Sequence, residues 1–270
     1  MQDPEALAPA GKGGPPPRRW APGPALAGLL SLMVFASLLL LPLFGIVTAV
    51  LAPLPLVHLA SSGRPTVLGW GWVAICLAGA ALVTLAAWLV VALVGYLAVA
   101  VWPPVTVEIW ARRRWSSGRW LALVALGVLA LGFAVGVAAA YPAHPADRLA
   151  EAMASAAGGT EAMLRHFTPS GRFSPELLNE ALGAAAFLMP AVAALYVLAV
   201  AMWLRPRLGV LGFEVGGEPF HLVRAEEWLP VGFALGGLGW VFTTGIPKWL
   251  AANLLVVVLG LYFVAGLAII

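Results

Sequence analysis

APGPALAGLLSLMVFASLLLLPLFGIVTAVLAPLPLVHLA, residues 21–60, carries no charged side chain. Neither does VLGWGWVAICLAGAALVTLAAWLVVALVGYLAVAVWPPV, residues 67–105. At a 1.5 Å rise per residue, one helix of either length would run roughly 60 Å. A hydrocarbon core of about 30 Å takes about 20 residues to cross. Each run therefore crosses twice and turns without a charged loop. The fold class this implies is all-α: a polytopic transmembrane helical bundle with two tight helix pairs in its N-terminal half.

The whole chain agrees. It is 62% hydrophobic and 10% charged, with a mean hydropathy of +0.96. A soluble domain carries about 25% charged residues, so this mixture cannot build an ordinary solvated surface. The pI of 9.4 reflects a net charge of only +3. No basic stripe with interleaved aromatics lies outside the apolar segments, which argues against nucleic acid as a partner. The expected surroundings are the lipid bilayer. Cys76 is the single cysteine and sits inside the second run, so an intrachain disulfide or a cysteine metal site is excluded. Two lysines stand against thirteen arginines, alongside abundant Ala, Gly, Pro and Val. That usage fits a high-GC bacterial genome and hence a bacterial inner membrane.

Residues 1–23 read as a disordered cytoplasmic tail, rich in Pro, Gly and Ala. The first apolar run continues directly into a second pass, which is not the pattern of a cleavable leader. Eight spans are expected over residues 24–270, at about 24–41, 43–60, 66–83, 86–103, 119–141, 183–204, 229–246 and 249–269. Pro42 separates the first pair. Pro103-Pro104 ends the fourth span, and Pro247-Lys248 separates the last pair.

Loop charges give an orientation. With the N-terminus inside, the cytoplasmic segments hold Lys12, Arg18, Arg19, Arg64, Arg112, Arg113, Arg114, Arg119, Arg205, Arg207 and Arg224, eleven of the fifteen basic residues. The outer segments hold Arg148, Arg165, Arg172 and Lys248. This follows the positive-inside rule. Single crossings would put Arg64 and Arg112–Arg114 on opposite sides, which favours the double crossings. Ten tryptophans lie near predicted interfaces, Trp102, Trp110, Trp120 and Trp249 among them, at the depth an indole prefers. Trp240 is the clearest exception, well inside the seventh span.

Residues 142–182 form the sizeable outer segment, read either as a lid or as a connector. Ser174-Pro175-Glu176 has the form of a helix start, with Ser as cap, Pro in the first turn and Glu at the positive end of the dipole. That helix should run into the sixth span and kink at Pro190.

No catalytic signature is present: no H-E-x-x-H, no G-x-S-x-G and no P-loop. His144 and Asp147 lack the rest of a metal shell. No enzyme activity, metal or cofactor is expected. Pro53-Leu-Pro55 breaks the second span, either as a cavity wall or as a structural kink. Arg224-Ala-Glu226-Glu227-Trp228-Leu-Pro230 leads into the seventh span. Arg224, Glu226, Glu227 and Trp228 read as a helix start anchored by Trp228, or as a cytoplasmic coupling element or an inner gate paired with Arg224. Asn253 is the main amide of the eighth span, and such a side chain usually bonds another helix. Trp240, Thr243 and Asn253 are the candidates to line a ligand cavity. Gly132-x-x-x-Gly136 and Gly232-x-x-x-Gly236 mark close helix packing.

These motifs carry a resemblance. Pro53-x-Pro55 followed by Ser61-Ser62-Gly63-Arg64, then Glu227-Trp228-x-Pro230, and finally Asn253 with Leu261-Tyr262-Phe263-x-x-Gly266 resemble the YybS-like family of bacterial integral membrane proteins. That family is of unknown function and distantly similar to the substrate-binding S-components of energy-coupling-factor transporters. The resemblance implies a helical bundle with an outward-facing small-molecule pocket and a transporter energising module as partner. S-components dock through small residues on the first helix, and Ala27-x-x-x-Ser31 approximates that pattern here. A different function is a membrane scaffold that recruits partners through Arg112–Arg114 and the 205–227 loop.

Overall fold

The computed structural model describes residues 23–40, 42–62, 93–113, 115–140, 147, 150–151, 175–211, 213 and 226–267. The expected third span, the N-terminal tail, Cys76 and most of the 142–182 segment lie outside them. Every regular element among the described residues is a helix. Four are long and apolar enough to cross a bilayer: Leu93–Arg113, Ser117–Val137, Gly183–Arg207 and Gly245–Leu267. The chain is a membrane-embedded helical protein.

The first pair forms as the proline at position 42 requires. Helix α1 (Pro24–Leu40) folds back on α2 (Pro42–Thr48), a 3-10 turn (Ala49–Leu51) and α3 (Leu54–Ser61). Pro42 opens α2, where its missing N–H is one that no helix uses. The returning pass is broken at Ala52-Pro53. The Ala52 N–H bonds the Ala49 carbonyl at 3.0 Å. The fully buried Ser31 of α1 donates to the Ala52 carbonyl at 2.8 Å, and Tyr96 donates to Ser31 at 3.3 Å. Tyr196 donates to the Ile46 carbonyl at 2.7 Å. A break inside lipid is tolerated when neighbouring helices supply such partners. Leu56, Val57 and Leu59 are fully buried, so this break is a packed kink.

Pro103-Pro104 does not end a helix. The helix described from Leu93 onward makes a π-helical turn at Leu97–Val101 and continues as α4, Trp102–Arg113. The Trp102 N–H bonds the Leu97 carbonyl, five residues back. The wider turn restarts the helix at Trp102. Both prolines then fall in a first turn, where an absent N–H is harmless.

Ser117–Ala140 forms α5 and Pro175–Leu204 forms α6, which closes in a 3-10 turn at Arg205–Arg207. As the Ser174-Pro175-Glu176 motif predicts, α6 starts at Pro175 and carries Pro190 inside it. Trp110 stacks on Trp120 at 4.6 Å where α4 meets α5. Several indoles expected at the interface are packed within the protein. Trp110, Trp120 and Trp249 are at most 3% exposed. Their N–H groups donate to the Trp115 carbonyl, to Thr106 and to the Phe187 carbonyl.

The last pair is α7 (Leu229–Phe242) and α8 (Gly245–Leu267). The turn comes earlier than Pro247-Lys248. Thr243 is extended, and Gly245 has φ +62°, a conformation that glycine adopts without a Cβ clash. Pro247 then lies in the first turn of α8. The glycines of α7 decide how closely the pair packs. A Cβ at Gly236 would stand 3.1 Å from the Leu255 backbone, and one at Gly239 would stand 2.6 Å from the Ala251 Cβ. Around them α5 packs on α4, α6 and α8, and α8 packs on α6.

Candidate functional site

Two polar constellations stand out of the apolar bundle, one at an end and one in its interior. The first is built where α5 begins. Ser116 precedes the helix and accepts the Arg119 N–H at 3.2 Å. Its hydroxyl donates to one carboxylate oxygen of Glu226 at 2.6 Å, and Arg119 Nε donates to the other at 3.1 Å. Glu226 is held from both sides, with only 14% of its side chain exposed. It joins the start of α7 to the start of α5 across 107 residues of sequence.

The C-terminal end of α6 meets the same place. Arg205 donates to Ser117 at 3.2 Å, and the Ser117 side chain is buried. Arg207 donates to the Trp203 carbonyl and lies 3.9 Å over the Trp203 ring. Cations there oppose the negative end of the α6 dipole. Glu108 and Arg112 pair at 3.8 Å in the last turns of α4. Arginines from three separate segments thus share one end of the bundle. Lys248 lies at the other end, 4.6 Å over the Trp240 ring.

Between the opening turns of α5 and the Glu226–Trp228 turn lies an open groove of about 1010 Å³. Arg113, Trp115, Ser116 and Arg119 line its charged end. Ala122, Leu123 and Leu126 line its apolar end, with Glu227 and Trp228 on the facing wall. Three of the four expected coupling residues, Glu226, Glu227 and Trp228, therefore share one site. Arg224 lies outside the described residues, and the cation holding Glu226 is Arg119. The sequence marked Arg119 only as a loop charge. Nothing local to it indicates a partner 107 positions away.

The second constellation surrounds Asn253. Its Oδ1 accepts the Ala191 N–H at 2.9 Å, and its Nδ2 donates to the carbonyls of Phe187 at 2.8 Å and Trp249 at 2.9 Å. Ala191 and Phe187 are the donor and acceptor that would pair with each other in a regular helix. The amide thus stands inside the α6 ladder, one residue past Pro190. Insertion of a side chain into the ladder is one of the general causes of helix bending. Asn253 is fully buried.

Trp240 meets the Phe187 ring edge-on at 6.1 Å and is 42% exposed, and Thr243 donates back to the Gly239 carbonyl. Phe187 therefore links Trp240 and Asn253, one through its ring and the other through its carbonyl. Thr243 closes α7 nearby in the chain. Among the described residues, no group of three or more His, Cys, Asp or Glu could hold a metal ion. No family model, curated protein or solved structure matches the chain.

Proposed function

We propose that the chain is an eight-span protein of the bacterial inner membrane, with a cytoplasmic N-terminus, that recruits a partner protein through its arginine-rich end. It does so as a scaffold, without catalysis. The observation that carries this reading is the convergence of residues 112–113, 115–119, 205–207 and 226–228 on one end, tied by Arg119 to Glu226 and by Arg205 to Ser117. A charged face already braced by its own bonds loses little freedom when a partner docks.

Orientation follows from the same residues. Arginine-rich loops stay in the cytoplasm, which puts this end inside and Lys248 outside. The eight-span count is supported by the course of the first half. The Ala49–Leu51 turn packs on Leu97–Val101, and α3 packs on α4, so the two passes run parallel. The chain leaves Ser61 and enters Leu93 at opposite ends of the bundle. The eight-span reading assigns one further crossing to the sequence between them.

The small-molecule alternative implied by the YybS-like resemblance asks for an open docking stripe on the first helix and a polar pocket. Ala27 and Ser31 are fully buried, and Ser31 is spent on the Ala52 carbonyl. The Asn253 amide is occupied by three backbone groups. Both observations favour the scaffold.

Crosslinking in native membranes followed by affinity purification tests it. A discrete protein should co-purify with the wild type and be lost from an Arg112→Glu/Arg207→Glu variant. Retention of that protein by the variant would overturn the reading. A vitamin-like compound that raises the melting temperature, with no co-purifying protein, would favour the alternative.

A further inference from the structure

The groove beside α5 is graded along its length. Ser116, just before α5, and Leu126 within it are ten residues apart, about 15 Å at 1.5 Å per residue. A guanidinium and hydroxyl end passes into an apolar end over that distance. Trp115 and Trp228 flank the charged end, where indoles mark the interface of a bilayer. Such a gradient matches a molecule that is itself graded from head to tail. A peptide helix lying flat on the surface would leave the Leu123 and Leu126 end unfilled.

The charges choose the head. Arg119 and Glu226 neutralise each other. Arg113 and Glu227 are both exposed and make no ion pair among the described residues. Among the described lining residues, one cation and one anion are thus left facing the groove. An anionic headgroup would satisfy Arg113 and be repelled by Glu227. An uncharged one would use neither.

We propose that this groove seats a zwitterionic aminophospholipid, its phosphate against Arg113, its primary ammonium against Glu227, and one acyl chain along Leu123 and Leu126. The guanidinium gives the phosphate a charge-assisted hydrogen bond. A primary ammonium donates to a carboxylate in the same way. The groove belongs to the same arginine-rich end on which partner docking is read, but Arg112 and Arg207, changed in the docking test, are not among its lining residues.

Native mass spectrometry of the purified full chain tests this, using phosphatidylethanolamine and phosphatidylglycerol of matched acyl chains. The wild type should retain phosphatidylethanolamine in preference. Glu227→Gln should weaken that lipid about fivefold, roughly the worth of one headgroup ion pair near the surface, without weakening phosphatidylglycerol. Arg113→Gln should weaken both lipids. Leu126→Trp, which fills the apolar end, should also weaken both. Arg113 and Glu227 are exposed, so their variants should fold, and an unchanged lipid-free melting temperature checks this. If Leu126→Trp does not fold, Glu227→Gln decides alone. Equal or better retention of phosphatidylglycerol by the wild type would overturn the proposal. So would an unchanged preference in Glu227→Gln.

Discussion

Asn253 occupies the gap that Pro190 opens in α6: its amide accepts the Ala191 N–H and donates to the Phe187 carbonyl, two groups that a regular helix would pair directly. Pro190 has no N–H, and its ring crowds the turn before it. Gly132 of α5 lies against it, where a Cβ would stand 3.2 Å from the Pro190 Cβ. The interruption of the α6 ladder is therefore held from two sides, by a missing side chain at Gly132 and by the inserted Asn253 amide.

Removing the insert should be costly. Asn253→Leu leaves the buried Ala191 N–H without its acceptor. It should lower unfolding free energy in detergent by about 1–3 kcal/mol. Adding Pro190→Ala allows α6 to close its own ladder, so the double variant should be more stable than Asn253→Leu alone. Melting curves of the wild type, both single variants and the double variant check this. A double variant no more stable than Asn253→Leu would show that the amide does not substitute for the backbone bond.

The contact between α7 and α8 should depend on which glycine is changed. Gly239→Ala drives a Cβ to 2.6 Å from that of Ala251 and should destabilise the protein by about 1–3 kcal/mol. Gly237→Ala meets nothing within 4 Å and should be neutral or gain up to about 1 kcal/mol from helix propensity. Thermal melts of the two variants give the comparison, and equal losses would refute the packing account.

Arg119→Ala should cost less than about 1 kcal/mol of global stability, because 63% of that side chain is exposed. Its effect should instead be local. The turn before α7 should become more open to limited proteolysis near Glu226, and an Arg119→Glu/Glu226→Arg swap should restore protection. Unchanged cleavage in Arg119→Ala would mean that the ion pair does not hold this turn.

Much of the helix layout was legible because proline and glycine act locally. Pro42 and Pro175 each open a helix as the sequence predicts, and Pro190 lies inside α6. Pro103-Pro104 misleads, since the π-helical turn that places both in a first turn has no local signature. Pro247 misleads in the same way, while Gly245 makes the turn. The site was legible by residue type and not by pairing. Asn253 reads as a residue that bonds another helix, but its partners at Phe187 and Ala191 lie more than 60 positions away. Glu226 reads as part of a charged cluster, but its cation, Arg119, comes from a different helix.

Orientation can be checked directly. With Cys76→Ser as background, Arg207→Cys should react with a membrane-impermeant thiol reagent only after cells are opened. Lys248→Cys should react in intact spheroplasts. The opposite pattern would reverse the assignment of inside and outside.

The central claim is that the arginine-rich end docks a partner protein. Photo-crosslinking in living cells from residue 207, compared with residue 248 at the other end, tests it most directly. A discrete protein adduct from 207 and none from 248 is the predicted result. An adduct from 248 alone, or none from either position, would contradict it.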